Sequence, residues 1–529
     1  MRRGPDGTGK EPKLREKEQD RARRGVVLIA VLVAVVLLSL VAYQYSDLMT
    51  SEYRAAESTV RAAQSRSLAI SGVHYAAAAL ADKTTFTNRL NSNPFDNESV
   101  FKGVIVRDDD RAHFQGRFTL IAPPAIDDAL SGSTTTKYGV TDESAKINLN
   151  ALVKQDTTGN TASKILLKLP NMTDEIADAI IDWISDSETP RPNGTKSDYY
   201  SGLTPPYRCK NGPLDSIEEL LLVKGVTPEL LFGSDKNHNG MQDDDENSSN
   251  GFDPGWAAYL TTYSRTLNLD SDGKSRMYLG EKLSQDFYTN LKTAVGQPLA
   301  DYIVLYKAYG AASPVNHEPG DMSAEVQTVL KQSSPPSKPL SSQFDLYSTI
   351  TLTYQENTGN NRNRQARTFT KRYPSPLSAD DQLLVTLLDK TSTSSATELP
   401  VAINVLTAPK AVLSCLTALG NANSALSDTD VDSIISSRPV PGTYDPGDPK
   451  YQTIAWLKTD IKLSNEQLKV LQTYIASRTQ TYRVQSLGYF DQGGPVTRVE
   501  AVIDTNNGSP RIIYFRDLTP LGRGFNVPR

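Results

Sequence analysis

Two cysteines in 529 residues, Cys209 and Cys415, are too few and too far apart for a disulfide framework, and no CxxC is present to begin a zinc site. Cys415 lies in AVLSCLTAL and reads as a small buried apolar residue. Histidine is also scarce: His74, His113, His238 and His317 include no metal-ligand pair. GxSxG, a P-loop, and GxGxxG ahead of a helix are all missing. Adjacent acids such as Asp142 and Glu143 are too common to name as acid/base partners, so the chain reads as a non-enzyme. A basic surplus is lacking as well. The formal charge is −5, and nine of the 56 Lys/Arg precede Gly25 against five of the 61 Asp/Glu, which leaves 47 against 56 for the body. A body at −9 lacks the positive face that displaces counterions from phosphate, which argues against a general nucleic-acid binder.

The chain does have one long hydrophobic run. Val26 to Ala42 is apolar apart from Ser39, 17 residues at the lower limit for crossing a hydrocarbon layer. The basic residues ahead of it favour a cytoplasmic N-terminus. A cleaved secretory signal would end in small residues and a loop, whereas here no Pro appears through Ala81 and no Gly until Gly72. Leu48, Ala55, Ala56, Val60, Ala63, Leu68, Ile70 and Val73 continue at helical spacing. This predicts one helix of about 55 residues, roughly 80 Å long, lipid-facing first and body-packed afterwards. A plain signal-anchor is one reading. The stretch also resembles a type IV pilin start, with a basic leader ending at Gly25 and cleavage between Gly25 and Val26. Most pilins carry Glu at the fifth mature position, where this chain has Ala30. Either it is no pilin, or it is the subunit type that lacks this Glu.

Beyond the helix, VFKGVIVRDDDRAHFQGRFTLIAPP reads as two or three strands, with Ala112, Phe114, Gly116, Phe118 and Leu120 alternating. Three segments read as paired helices of helix-hairpin-helix type: LLKLPNMTDEIADAIIDWI with Thr173 as N-cap, PLDSIEELLLVKGVTPELLFG, and VAINVLTAPKAVLSCLTALGNANSALSDTDVDSIISSRP. Such units bind DNA through a Gly-hydrophobic-Gly turn with nearby basic residues. PNMTDE and KGVTPE lack that chemistry, which favours structural use. A long irregular middle follows, including a Pro/Ser-rich linker and the locally basic TGNNRNRQARTFTKRYPSP, read as a solvated loop. YRVQSLGYF, VTRVEAVIDT and SPRIIYFRDL close the chain as a small antiparallel sheet.

DKNHNGMQDDDE fits the calcium-loop pattern D-x-[DN]-x-[DN]-G-x5-E. Asp235, Asn237 and Asn239 would supply oxygens, Gly240 the sharp turn, Met241 its carbonyl, Asp243 position nine, and Glu246 the bidentate close. A structural Ca2+ is therefore expected, with His238 facing solvent. The bland alternative is a solvated acidic loop. NLDSDGKS (Asn268, Asp270, Asp272, Gly273) begins a similar pattern but has Leu279 where the closing acid belongs.

Taken in order, the pilin-like start, DESAKINLN, LPNMTDEIADAIIDWISDSETPRPNGTKSDYY and PLDSIEELLLVKGVTPELLFG resemble the type II secretion system minor pseudopilin K family, general secretion pathway protein K. That family lacks the pilin Glu, so Ala30 fits it. INVLTAPKAVL and the closing strands extend the likeness, which is thin across roughly 285–400.

The resemblance implies an α+β fold: a pilin-like long N-terminal helix on a small antiparallel sheet, with a large inserted α-helical domain of helix-hairpin-helix/SAM-like units. It implies a leader over 1–25, a helix over 26–82 with 26–43 in the membrane, and pilin-like α/β over 83–137. Helical lobes would span 138–255 and 256–480, and strands 481–529 would complete the sheet. It further implies a methylated tip or initiator subunit of the periplasmic pseudopilus. The anchor would lie in the inner membrane, and the partners would be minor pseudopilins I and J, then H and the major pseudopilin, with prepilin peptidase as processing enzyme. Motif residues carried over are Asp142, Lys146, Asn148, Asn150, Asp182, Trp183, Pro190, Arg191, Gly194, Asp198 and Tyr200. After Gly194 the family usually has acids, and here Thr195-Lys196-Ser197 puts an ion at that point in doubt. A minor pilin of a type IV pilus and a membrane-anchored helix-hairpin-helix DNA receptor remain the rival readings.

Overall fold

One uninterrupted helix, α1 (Lys13–Ala81), opens the computed structural model, which describes residues 13–131, 135–156, 158–243, 246, 251–358, 365–399, 402–478, 480–506 and 509–525. Its 69 residues span roughly 100 Å at 1.5 Å per residue. From Val26 through Val60 the large apolar side chains are exposed, and this part is long and apolar enough to cross a membrane, consistent with a single anchor. Burial begins at Arg61 and recurs at Ser65, Leu68, Ala69, Gly72, Val73, Ala76 and Leu80, a stripe at helical spacing. Leu48, Ala55, Ala56 and Val60 were expected in that stripe but stay exposed, as does Ala63 further on. The sheet ends first: Arg61 donates to the Gly493 carbonyl and Ser65 meets Thr497 at 2.7 Å, at the rim of the last strands α1 can reach.

The sheet runs β1 (Val104–Arg107), β2 (Gly116–Ile121), then β5 (Thr481–Phe490), β6 (Thr497–Asp504) and β7 (Arg511–Asp517), each antiparallel to its neighbour. The expected alternating strand starts only at Gly116, because Ala112–Phe114 turns as a 3-10 helix. Helix and strand backbones touch: a Cβ on Gly488 of β5 would fall 2.1 Å from the Ser65 carbonyl oxygen. Glycine there sets the approach of α1 to the sheet. Ala69, Val73, Phe118, Leu120, Val484 and Val499 fill the layer between them.

Most of the chain between β2 and β5 forms one insertion with its own large core, containing Trp183, Trp256 and Trp456, while Thr141–Asp142 returns to pair with β5. Asp174–Ile184 (α2) is capped as expected, the Thr173 side chain accepting from the Ile176 N–H. The middle is more ordered than the sequence suggested. Gln285–Val295 (α3) and Gln297–Tyr309 (α4) meet at Gly296 with φ +81°, and β3 (Ile350–Thr358) pairs β4 (Gln365–Tyr373) as a hairpin. Asp381–Lys390 (α5) then packs near α3. Helix α4 buries residues on every side, so it shows no polar stripe to betray it. The basic tip 359–364 lies outside the described residues.

Candidate functional site

The acidic loop forms where the first lobe meets the sheet. Pro228–Phe232, capped by Thr227, delivers the chain to Asp235. His238 (φ +56°) and Gly240 (φ +73°) then reverse it in the left-handed region, which glycine enters without steric cost. Asp235 gathers the loop by accepting from the Asn239 N–H at 3.1 Å and the Gly240 N–H at 2.9 Å. Glu246 closes from the far end, accepting from Lys236 N–H at 2.8 Å and Asp243 N–H at 3.3 Å. The Asp243 carboxylate accepts from the side-chain amides of Asn237 (2.5 Å) and Asn239 (2.9 Å). Asp235, Asn237, Asn239, Asp243 and Glu246 thus converge, as their spacing predicts.

Among the described residues no Lys or Arg forms an ion pair with Asp235, Asp243 or Glu246. Asp235 and Glu246 are 8% and 4% exposed. Burial first, then the Glu246 charge, pushes the Asp235 carboxyl up to about 6. A buried acidic loop whose carboxylates form no ion pair among the described residues fits a hard cation. No three His, Cys, Asp or Glu side chains among the described residues already stand as a metal cluster, and two of the expected ligands are amides. The described residues show where Asp235, Asn237, Asn239, Met241, Asp243 and Glu246 lie; Asp244, Asp245 and 247–250 fall outside them.

The loop is clamped to the sheet face opposite α1. Arg498 of β6, fully enclosed, donates to the Asn237 and His238 carbonyls at 2.7 and 2.6 Å. Gln485 of β5 donates to the His238 carbonyl, and Met241 packs with Ile121, Leu487 and Tyr489. His238 does not face solvent as expected. Its ring stacks on Phe232 at 4.4 Å, half-buried, and burial lowers its basicity. The second loop has filled its own centre: Lys390 Nζ lies 2.9 Å from Asp270, 2.7 Å from Asp272 and 3.2 Å from Asp389. An ammonium thus stands among its carboxylates, and Asp270 Oδ1 meanwhile takes the Asp272 and Lys274 N–H groups.

The motif residues act as staples. Asp142 accepts from Asn404 and Thr407, joining parts of the insertion about 260 positions apart in sequence. Asn148 caps the helix Leu149–Gln155, Asn150 exchanges two hydrogen bonds with Leu214, and Lys146 donates to the Ala257 carbonyl at 2.9 Å. Asp182 accepts from the Arg191 N–H, and a Cβ on Gly194 would fall 1.9 Å from its carboxylate. Arg191 pairs with Asp178 at 2.6 Å, while Trp183 donates to Glu219 and packs edge-on against Tyr200. Pro190 and Asp198 are exposed. Lys196 answers the question of an ion nearby: its buried ammonium donates to the Asp182 and Ser185 carbonyls and to Asn211 at 2.5–3.0 Å. Three oxygens that could surround a cation surround a lysine.

Both cysteines are buried and free. Gly25 and Val26 lie within α1, with Val26 and Ala30 on its exposed apolar part. Sequence reasoning missed the ion pairs of Glu143, which binds Arg483 through both oxygens while Arg483 also reaches Glu500 at 2.6 Å. Partners 340 positions apart leave no local signal.

Residues 145–232 match the family model described as Type II secretion system (T2SS), protein K. A protein of Escherichia coli (strain K12) named for type II secretion system protein K is 30% identical over 112 residues, 19% of this chain and 34% of that protein. The chain therefore spans about a third of the length of the curated relative it matches. A chain of the solved GspK-GspI-GspJ complex from the enterotoxigenic Escherichia coli type 2 secretion system aligns over 89% of this chain and 98% of that one, at 11% identity and TM-score 0.34. The protein K resemblance read from the sequence is borne out over 145–232.

Proposed function

We propose that this chain is the protein K minor pseudopilin of a type II secretion system, a tip or initiator subunit of the periplasmic pseudopilus that drives export across the outer membrane. One observation carries the reading. A continuous helix is apolar and exposed before Arg61 and packed on an antiparallel sheet after it, in a chain whose 145–232 segment matches protein K. Prepilin peptidase would cut between Gly25 and Val26, leaving an inner-membrane anchor with the body in the periplasm. The freed apolar helix is then an assembly surface. The insertion between β2 and β5 is too bulky for the interior of a helix-packed filament, which favours the tip. Its lobes, 138–255 and 256–480, are read as helix-hairpin-helix/SAM-like units serving structure rather than DNA. Minor pseudopilins I and J are the proposed neighbours, and H and the major pseudopilin lie beyond them.

In a strain lacking its own protein K, the chain should restore export and co-purify with the I and J pseudopilins. Gly25→Leu should leave the leader uncut and abolish that restoration. Full export by the Gly25→Leu variant, or salt-dependent DNA binding by the chain, would defeat the proposal.

Calcium at Asp235–Glu246 is the second part of this reading. Bound there, it would neutralise carboxylates that the fold already buries and would tighten the loop against β5 and β6. Near one-hundred-fold excess over Kd the ion should add about 2.7 kcal/mol. Calcium titration of the full chain should therefore raise its melting temperature by a few degrees, and Asp235→Ala with Glu246→Ala should erase the rise. An equal rise in that double variant would end the calcium assignment.

A further inference from the structure

A cavity of about 360 Å³ lies at the joint between the sheet and the two lobes. Its walls include Pro123, Pro124, Pro254, Pro409 and Pro441, together with Ile126, from four separate stretches of chain. Proline has little backbone freedom to lose, so such a cavity is held open before anything enters it. Ala, Leu, Ile and Phe side chains share the rest of the wall with four acids and four basic side chains. That composition and volume are those of a preformed small-molecule site.

The polar groups in the wall are unequally satisfied. The acids are occupied: Glu500 accepts from Arg483 and Gln485, Asp142 from Asn404 and Thr407, Glu218 from Arg516 and Tyr514, and Asp235, which forms no ion pair, from the Asn239 and Gly240 N–H groups. The donors are not. Lys146 Nζ makes one hydrogen bond, to the Ala257 carbonyl, and no carboxylate among the described residues lies within ion-pair distance of it. An ammonium has three N–H bonds to place. Among the described residues Arg516 uses one nitrogen on Glu218 and its others meet no protein partner, and the His238 ring makes no hydrogen bond. Lys146 is half-buried with surface facing the cavity, and burial lowers its basicity. A preformed chamber whose acids are engaged, and whose Lys146 and Arg516 keep N–H donors to spare, can take an anionic acceptor carried on an apolar body.

We infer that this cavity binds a small amphiphilic organic anion, its acid group on Lys146 and its apolar part among the prolines. This stands apart from the secretion reading and uses none of the calcium-loop carboxylates as ligands. The full chain in lipid nanodiscs is titrated with phenylbutyrate, followed by ligand-observed NMR, with empty nanodiscs as the blank and neutral phenylbutanol as the comparison. Saturable binding of the acid, roughly tenfold or more tighter than the alcohol, is expected from a charge-assisted hydrogen bond to the Lys146 ammonium. Lys146→Met, which keeps the stem and removes the charge, should erase that preference, and Lys146→Arg should retain it. Ala258→Trp, filling the cavity from its half-buried wall, should abolish binding of both probes. Signal equal to empty nanodiscs, no preference for the acid, or binding unchanged in both Lys146→Met and Ala258→Trp each overturns the inference.

Discussion

Arg483→Met should lower the stability of the body by roughly 3–5 kcal/mol at neutral pH, the scale for stranding a buried partner of an ion pair. Arg483 holds Glu143 at 2.6 and 2.7 Å and Glu500 at 2.6 Å, and Glu143 has no exposed surface. Burial alone would raise the Glu143 carboxyl. The guanidinium outweighs it and brings the group down to about 2. The sign of the pH dependence follows. The folded pKa lies below the unfolded one, so this stabilisation is present above pH 4.5 and is lost as pH falls towards 2. Over that interval it amounts to roughly 3 kcal/mol. Without Arg483 the carboxyl has every reason to take up a proton, so the deficit of the variant should shrink as pH falls towards 4.5. Glu143→Gln in the same chain should cost much less than additively, because the stranded charge has been removed. Thermal and denaturant unfolding of the full chain would measure this. A deficit independent of pH, or additive with Glu143→Gln, would show that Arg483 acts only by filling space.

The parts that could be read in advance were those written in local periodicity or local turn chemistry. The long helix, the Thr173 cap, the three closing strands and the wrap of Asp235 to Glu246 all depend on residues within a dozen positions of one another. What stayed hidden has a different physical origin. Helix α4 lacks a polar face because it is buried all round, and the exposed Leu48–Val60 stretch carries the same apolar spacing as its packed continuation. Spacing specifies which face is apolar. It cannot specify where the sheet that covers that face will stop. The clamp on the acidic loop joins Arg498 to carbonyls about 260 positions away, and the centre of the Asp270 loop is taken by Lys390, 120 positions on. In both loops the spacing of the oxygens is local, but the positive charge each one meets comes from a distant part of the fold.

The same logic gives the second large effect, at Lys196. Asp182 and Ser185 lie at the C-terminal end of α2, where the last carbonyls of a helix have no partner within it. The Lys196 ammonium donates to both and to the Asn211 side chain, placing positive charge at the negative end of the helix dipole. Lys196→Met keeps most of the side-chain volume and removes all three donors. Each acceptor left buried without a partner costs about 1–3 kcal/mol. A total loss of roughly 3 kcal/mol or more is expected, with the damage centred on α2 and 190–211 rather than on the sheet. Hydrogen exchange should show faster opening of the Ile180–Ile184 amides while α1 and β5 keep their protection. Lys196→Arg should recover only part of the loss, since a planar guanidinium cannot direct its donors as a compact ammonium does. If Lys196→Met leaves both stability and exchange near wild type, water must replace the ammonium at little cost, and the lysine would then be incidental to the lobe.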